Sequence, residues 1–104
     1  MGQVHWTECA LDDLRDIVNF VAKDSPAYAA RLSAKLVQAP RRLAQFPRIR
    51  PAISEFQQDA IRELWVRPYR IIYVLRGENC YVAAIVHGSR DLLSLLHPDD
   101  LPDS

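Results

Sequence analysis

The sequence is poor in the residues from which phosphate-binding loops and zinc sites are built. It contains three glycines (Gly2, Gly77 and Gly88) and two cysteines (Cys9 and Cys80) among 104 residues. Three scattered glycines cannot form a glycine-rich phosphate loop, and two distant cysteines without a CxxC motif do not make a zinc site. We therefore expect neither a metal nor a cofactor, and we expect both thiols to be buried.

Long hydrophobic runs are also missing. No apolar stretch approaches the ~20 residues that a membrane-spanning helix needs. Residues 1–8 contain Glu8 but neither Lys nor Arg, so we expect no secretory signal peptide. The composition, 49% hydrophobic and 25% charged, excludes disordered, coiled-coil and collagen-like chains. We expect a single cytoplasmic domain over residues 1–104 that does not contact a membrane.

The charges balance over the whole chain but are segregated along it. Residues 1–25 carry a net charge of −3, residues 26–90 carry +7 and residues 91–104 carry −4. A basic middle between acidic ends predicts an anionic partner for the middle, which is either a nucleic acid or an acidic protein. A solvated surface of mixed charge is the alternative, and the sequence leaves both open.

Two amphipathic helices are predicted in the first half. Thr7 can cap the first helix, and Pro26 is well placed at the first turn of the second. Pro40 lies inside the second helix, where we expect a kink or a helix that ends and restarts. Two apolar stripes at helical spacing support the pair as a hairpin: Ala10, Leu14, Ile17 and Val21, then Ala29, Leu32, Leu36, Ala39, Leu43 and Phe46.

The rest of the chain reads mainly as strands. Residues 47–60 are interpreted as an irregular connection, residues 91–96 as a short helix, and the acidic tail from about residue 98 as mobile. The order β-α-α-β-β-β predicts an α+β fold, in which a helical hairpin packs on a small, mostly antiparallel sheet. The predicted strands are residues 3–7, 61–67, 69–76 (buried on both faces) and 80–87, with turns at Pro68-Tyr69 and Gly77–Asn79.

One group of polar residues could carry chemistry. Arg62, Arg67 and Arg70 lie on two adjacent predicted strands, His87 ends the next strand, and Arg90 follows it. Guanidinium groups can hold a phosphate and an imidazole can move a proton, which would suit attack by an RNA 2′-hydroxyl on its own phosphate.

A structural interpretation of the same residues is equally open. Alternation along the strand places Arg70 on the face of Ile72 and Val74. There it could pair with Glu63 or Asp91 and anchor the sheet, while His87 would do no more than end a strand.

Three stretches of the second half follow one another in a characteristic order. They are Ile61-Arg62-Glu63-Leu64, Tyr69-Arg70-Ile71-Ile72-Tyr73 and Val86-His87-Gly88-Ser89-Arg90-Asp91-Leu92. With the opening Trp6-Thr7 and the segment from Leu43 to Pro47, they resemble the RelE/ParE superfamily of toxins from bacterial type II toxin–antitoxin (plasmid stabilisation) systems. The resemblance covers about residues 4–92 and implies the same β-α-α-β-β-β fold.

The resemblance implies one of two activities. RelE-like members are ribosome-dependent endoribonucleases that cut mRNA, whereas ParE-like members inhibit DNA gyrase. In a metal-free nuclease, Arg70 would contact the phosphate, Arg62 would support it, and His87 would act as general acid or base. Glu55 matches a carboxylate base only loosely.

Departures from the nuclease pattern favour the gyrase-directed branch. The only lysines, Lys23 and Lys35, lie on predicted helices, and no tyrosine follows Tyr81. Binding to ribosomal RNA requires many phosphate contacts, yet this chain is neutral overall. The His-Gly-Ser-Arg-Asp-Leu ending also resembles ParE-type members. A ribosome-dependent nuclease remains the alternative, and a degenerate member that only binds its antitoxin is a third.

Either toxin implies a cognate antitoxin, which normally wraps an extended segment over its toxin. Trp6 and Trp65 are candidate antitoxin contacts, although both could be ordinary core aromatics. Arg67 and Arg90 are candidate contacts to the target or to phosphate. A basic middle would suit an acidic antitoxin tail, and either a homodimer or a hetero-oligomer with the antitoxin would be compatible with the sequence.

Overall fold

The computed structural model describes residues 2–44 and 60–88. The element order of these residues is the predicted one. The predictions for residues 47–59, for the helix at 91–96 and for the acidic tail lie outside the described residues. The elements are β1 (Val4–Trp6), α1 (Glu8–Ala22), α2 (Pro26–Gln38), a 3₁₀ helix (Ala39–Ala44), β2 (Ile61–Val66), β3 (Tyr69–Arg76) and β4 (Asn79–His87).

Side-chain caps and one proline set the helix boundaries. Thr7 Oγ1 accepts a hydrogen bond from the Ala10 N–H at 3.1 Å, and Ser25 Oγ accepts one from the Tyr28 N–H at 3.1 Å. The α-helix ends at Gln38 and the chain continues as the 3₁₀ helix through Pro40. Proline has no N–H to donate, so the α-helical hydrogen bonding stops where the sequence predicted an interruption.

The four strands form one sheet in the order β1-β4-β3-β2. The last three strands make an antiparallel meander. Strand β1 lies at the β4 edge of this meander and pairs with β4 in parallel. A register shift between Ile72 and Tyr73 leaves Ala83 as an extra residue in β4. The predicted α+β fold is therefore confirmed, with β2 ending at Val66, one residue earlier than predicted.

Both faces of the sheet carry buried residues. On one face, Leu32 and Leu36 of α2 pack against Ile71 and Tyr73 of β3. The opposite face holds a second buried cluster of Ile61, Ile72, Val74, Ala83 and Ala84. We call these the helix side and the far side. Strand β3 is buried on both, as predicted, so alternation decides on which side each of its polar residues lies.

One cysteine prediction is wrong. Cys80 is buried, and burial raises the pKa of its thiol, but Cys9 is exposed. Neighbouring positions of a helix differ by about 100° in direction, so the buried Ala10 leaves Cys9 facing away from the sheet. Neither described helix is long and apolar enough to cross a membrane.

Candidate functional site

Arg70, the candidate phosphate ligand, is engaged in an ion pair. It lies on the far side beside Ile72 and Val74 and is only 8% exposed. Its Nε donates to Oε2 of Glu63 at 2.7 Å, and its Nη2 contacts the same oxygen. Register explains the pair, because Glu63 and Trp65 occupy the same face of the neighbouring strand β2. The pairing of Arg70 with Glu63 that the structural interpretation proposed is therefore present.

Trp65 extends this pair into a larger cluster. Its indole N–H donates to Oε1 of Glu63 at 3.2 Å. The guanidinium carbons of Arg67 and Arg70 lie 4.9 Å and 5.3 Å from the centroid of the indole ring, within cation–π range. Trp65 is nevertheless 40% exposed. The result is an aromatic ring that is held from several directions and is still partly exposed.

Gly88 completes the cluster and was missed by the sequence analysis. A Cβ atom on Gly88 would lie 2.3 Å and 2.6 Å from two atoms of the Trp65 ring. The Gly88 N–H donates to the Pro68 carbonyl oxygen at 2.8 Å, which fixes the backbone beside the ring. The available signal was a glycine directly after a strand, in the segment that carried the family resemblance. We call Glu63, Trp65, Arg67, Arg70 and Gly88 the Trp65 cluster.

His87 lies on the helix side, away from Arg70. It pairs in register with Tyr69, and the two rings meet edge to face with centroids 5.9 Å apart. The imidazole is exposed at one end of a groove of about 510 Å³ between α1 and the end of β4. Burial, and to a smaller extent Tyr28, raises the pKa of the Tyr69 hydroxyl.

The three residues proposed for a nuclease do not converge. Arg62 pairs with Tyr73 on the helix side, whereas Arg70 lies on the far side. His87 shares the helix side with Arg62, but Tyr73 and Tyr69, their partners on β3, are four residues apart. That corresponds to about 13 Å along the strand, with two inter-strand spacings of about 4.8 Å in addition. One phosphate could not contact all three in this arrangement.

The remaining candidates differ in accessibility. Trp6 is half-buried and packs against the helix-side core, unlike the exposed Trp65. Arg67 is exposed, and Arg90 and Glu55 lie outside the described residues. Within residues 2–44 and 60–88, no group of three His, Cys, Asp or Glu side chains could hold a metal ion.

A basic groove of about 270 Å³ lies along β2, the last strand of the sheet among the described elements. The Leu75 N–H donates to the Ala60 carbonyl at 2.9 Å, so alternation directs the backbone groups of residues 61, 63 and 65 outward, away from β3. The lining of the groove includes two cationic side chains and Trp65. Its lining residues are Lys35, Gln38, Ala39, Arg42, Trp65 and Val66.

The helical hairpin over a small sheet is the fold that the sequence resemblance to the RelE/ParE class of toxins implied. The sequence model of the family described as "ParE toxin of type II toxin-antitoxin system, parDE" matches residues 4–92. The chain therefore belongs to the ParE toxin family and is the toxin component of a type II toxin–antitoxin system, which implies a cognate antitoxin.

A curated toxin relative agrees with this assignment, and a solved structure agrees with the fold. "Toxin RelE2" of Caulobacter vibrioides is 33% identical over 91 residues, which cover 86% of this chain and 99% of that protein. A chain from the structure titled "Chromosomal ParDE TA system from P. aeruginosa" superposes with a TM-score of 0.69. The two chains share 21% sequence identity, and the match covers 84% of this chain and 96% of that chain. This likeness supports the fold.

Proposed function

We propose that this toxin inhibits DNA gyrase in the cytoplasm. The observation that carries the proposal is the placement of Arg70, which is buried against Glu63 on the opposite side of the sheet from Arg62 and His87. A nuclease would need these groups around one phosphate. A toxin that acts by binding needs no such convergence, and its arginines can serve the fold and the contact surface instead.

The experiment is a supercoiling assay with purified toxin, gyrase and relaxed plasmid, run beside a translation reaction in which mRNA ends are mapped. We expect loss of supercoiling and accumulation of cleaved DNA complexes, with the mRNA intact. Unchanged supercoiling at toxin concentrations above that of gyrase would refute the proposal.

A second candidate activity is ribosome-dependent cleavage of mRNA, which is favoured by the 33% identity to a protein named Toxin RelE2. Arg70 and Arg62 would then stabilise the charge that develops on the phosphate, and His87 would transfer a proton. This activity requires Arg70 to leave Glu63 on the ribosome. It predicts cut mRNA that is no longer produced by a folded His87→Gln variant.

We propose that the antitoxin places an acidic, extended segment along the basic groove. The outward backbone groups of β2 offer an edge for strand addition, and Lys35 and Arg42 offer the complementary charge. The exposed Trp65 supplies an apolar contact, whereas Trp6 is half-buried on β1, at the opposite edge of the sheet from β2. Arg67 and Arg90 remain our candidates for contacts to the target, and the hetero-oligomer is the assembly that we expect.

A further inference from the structure

Strand β4 extends well beyond its neighbour at the β1 edge. Strand β1 pairs with β4 only from Cys80 to Val82, and the chain then turns at Thr7 into α1. Strand β3 accompanies β4 through to His87 on the other side. Among the described strands, none continues the line of β1 beside the second half of β4.

At this edge, the backbone groups of β4 bond to side chains of Thr7 and α1 instead of to a strand. Thr7 Oγ1 donates to the carbonyl oxygens of Val82 and Ala83 at 3.1 Å and 3.2 Å. One turn into the helix, Oδ2 of Asp13 accepts a hydrogen bond from the Ile85 N–H at 3.0 Å. The N–H of Ile85 thus points toward the β1 edge, and alternation directs its carbonyl oxygen to the same edge.

An apolar groove lies beyond the Thr7 and Asp13 side chains that bond to β4. It has a volume of about 510 Å³ and lies between the second half of α1 and the end of β4. Phe20 on its wall is 67% exposed, a large hydrophobic side chain without cover among the described residues. Ile17 and Ile85 form apolar walls, and Asp16 lies at the rim. An apolar ring exposed beside an extended strand marks a surface for binding a partner.

The charge at the rim selects the partner. Asp13 is half-buried, and its pKa is raised by burial first and then by the charges of Asp16 and Asp12. Arg15 forms an exposed pair with Asp12 at 3.1 Å, which leaves the Asp13 and Asp16 carboxylates to repel each other near the groove. A cation beside Asp16 would relieve this repulsion. One cation of this chain already lies near the groove. It is Lys23, one residue beyond the end of α1, whose Nζ lies 5.9 Å from the Phe20 ring centroid.

We propose that this groove binds an extended segment of a partner protein that carries alternating apolar and basic residues. The segment lies beside β4 in line with β1, meets the Ile85 carbonyl, packs an apolar side chain on Phe20 and places a Lys or Arg next to Asp16. The groove differs in charge from the basic groove and lies toward the other edge of the sheet. The chain can therefore hold an acidic and a basic segment at the same time.

The test uses the ¹⁵N-labelled full chain and an acetylated, amidated heptapeptide in which lysine and valine alternate. We expect saturable shifts of the amide signals of Ile85, Ile17 and Phe20, and none with the glutamate–valine counterpart. Phe20→Ala should weaken binding about tenfold, because the ring supplies much of the apolar contact. Leu11→Ala, which removes another exposed apolar side chain of α1 that lies outside this groove, should leave the affinity unchanged.

Three results would overturn the proposal. The first is the absence of a saturable shift at Ile85 with millimolar lysine peptide. The second is an equal loss of affinity in Leu11→Ala and Phe20→Ala. The third is unchanged binding of a lysine peptide N-methylated at every backbone amide, since such a peptide has no N–H group to pair as a strand and would bind through charge and apolar contact alone. None of these outcomes depends on whether the toxin acts on gyrase.

Discussion

Glu63 organises the Trp65 cluster, because each of its carboxylate oxygens holds a different neighbour. One oxygen accepts from the Arg70 guanidinium and the other from the Trp65 indole N–H. Arg70 and Arg67 then lie over the indole ring. A charged pair and an exposed aromatic side chain therefore support each other at the end of the hairpin.

Replacing Glu63 by Gln tests this arrangement. The change replaces the charged acceptor of Glu63 beside the buried Arg70 guanidinium by a neutral amide and should lower the free energy of unfolding by about 1–3 kcal/mol, measured by urea denaturation. Glu8→Gln, an exposed change in the first turn of α1, should cost at most about 0.5 kcal/mol. The double variant Glu63→Gln/Arg70→Met should lose less than the two single variants together, and simple additivity would contradict the coupling.

Gly88→Ala should displace the Trp65 ring. The added methyl group would meet the ring at 2.3 Å, so we expect a loss of about 1–3 kcal/mol and a shifted Trp65 emission in a Trp6→Phe background. Gly77→Ala is the control, since Gly77 has open space around it and a positive φ of 61°. That variant should be destabilised through its backbone without a change in emission. Unshifted emission in Gly88→Ala would refute the contact.

For single residues, the sequence left alternative roles open. Alternation placed Arg70 on the far side and made Glu63 a reachable partner, but the choice between pairing and phosphate binding depends on burial, which only the fold defines. Gly88 escaped notice because its role depends on a ring more than twenty positions earlier in the chain. The prediction that Cys9 is buried was wrong because its neighbour Ala10 takes the buried position.

At the scale of elements, the start of α1 fastens the helical hairpin to the sheet. Thr7 caps the helix and also donates to two carbonyl groups of β4. Asp13 reaches the same strand at Ile85. These bonds connect residues more than seventy positions apart, so they resist separation of the N-terminal elements from the meander.

The pH dependence of stability should report on Asp13. Its pKa is raised above the ordinary 3.8 by burial, so the folded state binds a proton more tightly than the unfolded state. Stability should therefore fall as pH rises from about 3.8 through the raised pKa. Asp13→Asn, which keeps an acceptor for Ile85, should flatten this slope, whereas Asp13→Ala should cost about 1–3 kcal/mol at neutral pH. Denaturation at several pH values checks both, and an unchanged slope in Asp13→Asn would contradict the assignment.

Most elements could be predicted because their signals are local. The helical spacing, the cap at Thr7, the placement of Pro26 at the first turn of α2 and the interruption at Pro40 each depend on a few neighbouring residues. Strand ends were less certain, since Arg67 continues the β pattern but belongs to the turn with Pro68. The parallel pairing of β1 with β4 joins distant segments, and no local pattern specifies it.

At the scale of the whole molecule, the charge segregation of the sequence becomes two surfaces of opposite character. The N-terminal helix carries acidic residues beside an apolar groove, and the basic groove lies along β2. This arrangement suits a protein that must be neutralised by one partner and act on another. It also explains how a chain with no net charge can bind through electrostatic attraction.

Charge reversal in the basic groove should weaken antitoxin binding. The double variant Lys35→Glu/Arg42→Glu should raise the Kd of the antitoxin complex at least about tenfold, with most of the effect lost at high salt. Arg31→Glu changes an exposed charge of α2 outside the groove and should have little effect. Calorimetric titration of each purified variant provides the comparison, and equal weakening by Arg31→Glu would show that only overall charge matters.

The most direct test of the account compares wild-type toxin with His87→Gln in the gyrase and translation assays. Because His87 is exposed and separated from Arg70 by the sheet, the variant should fold, inhibit supercoiling as strongly as wild type and leave mRNA intact. Cleavage of mRNA by wild-type toxin that disappears in a folded His87→Gln variant would contradict a gyrase-directed toxin and establish the nuclease.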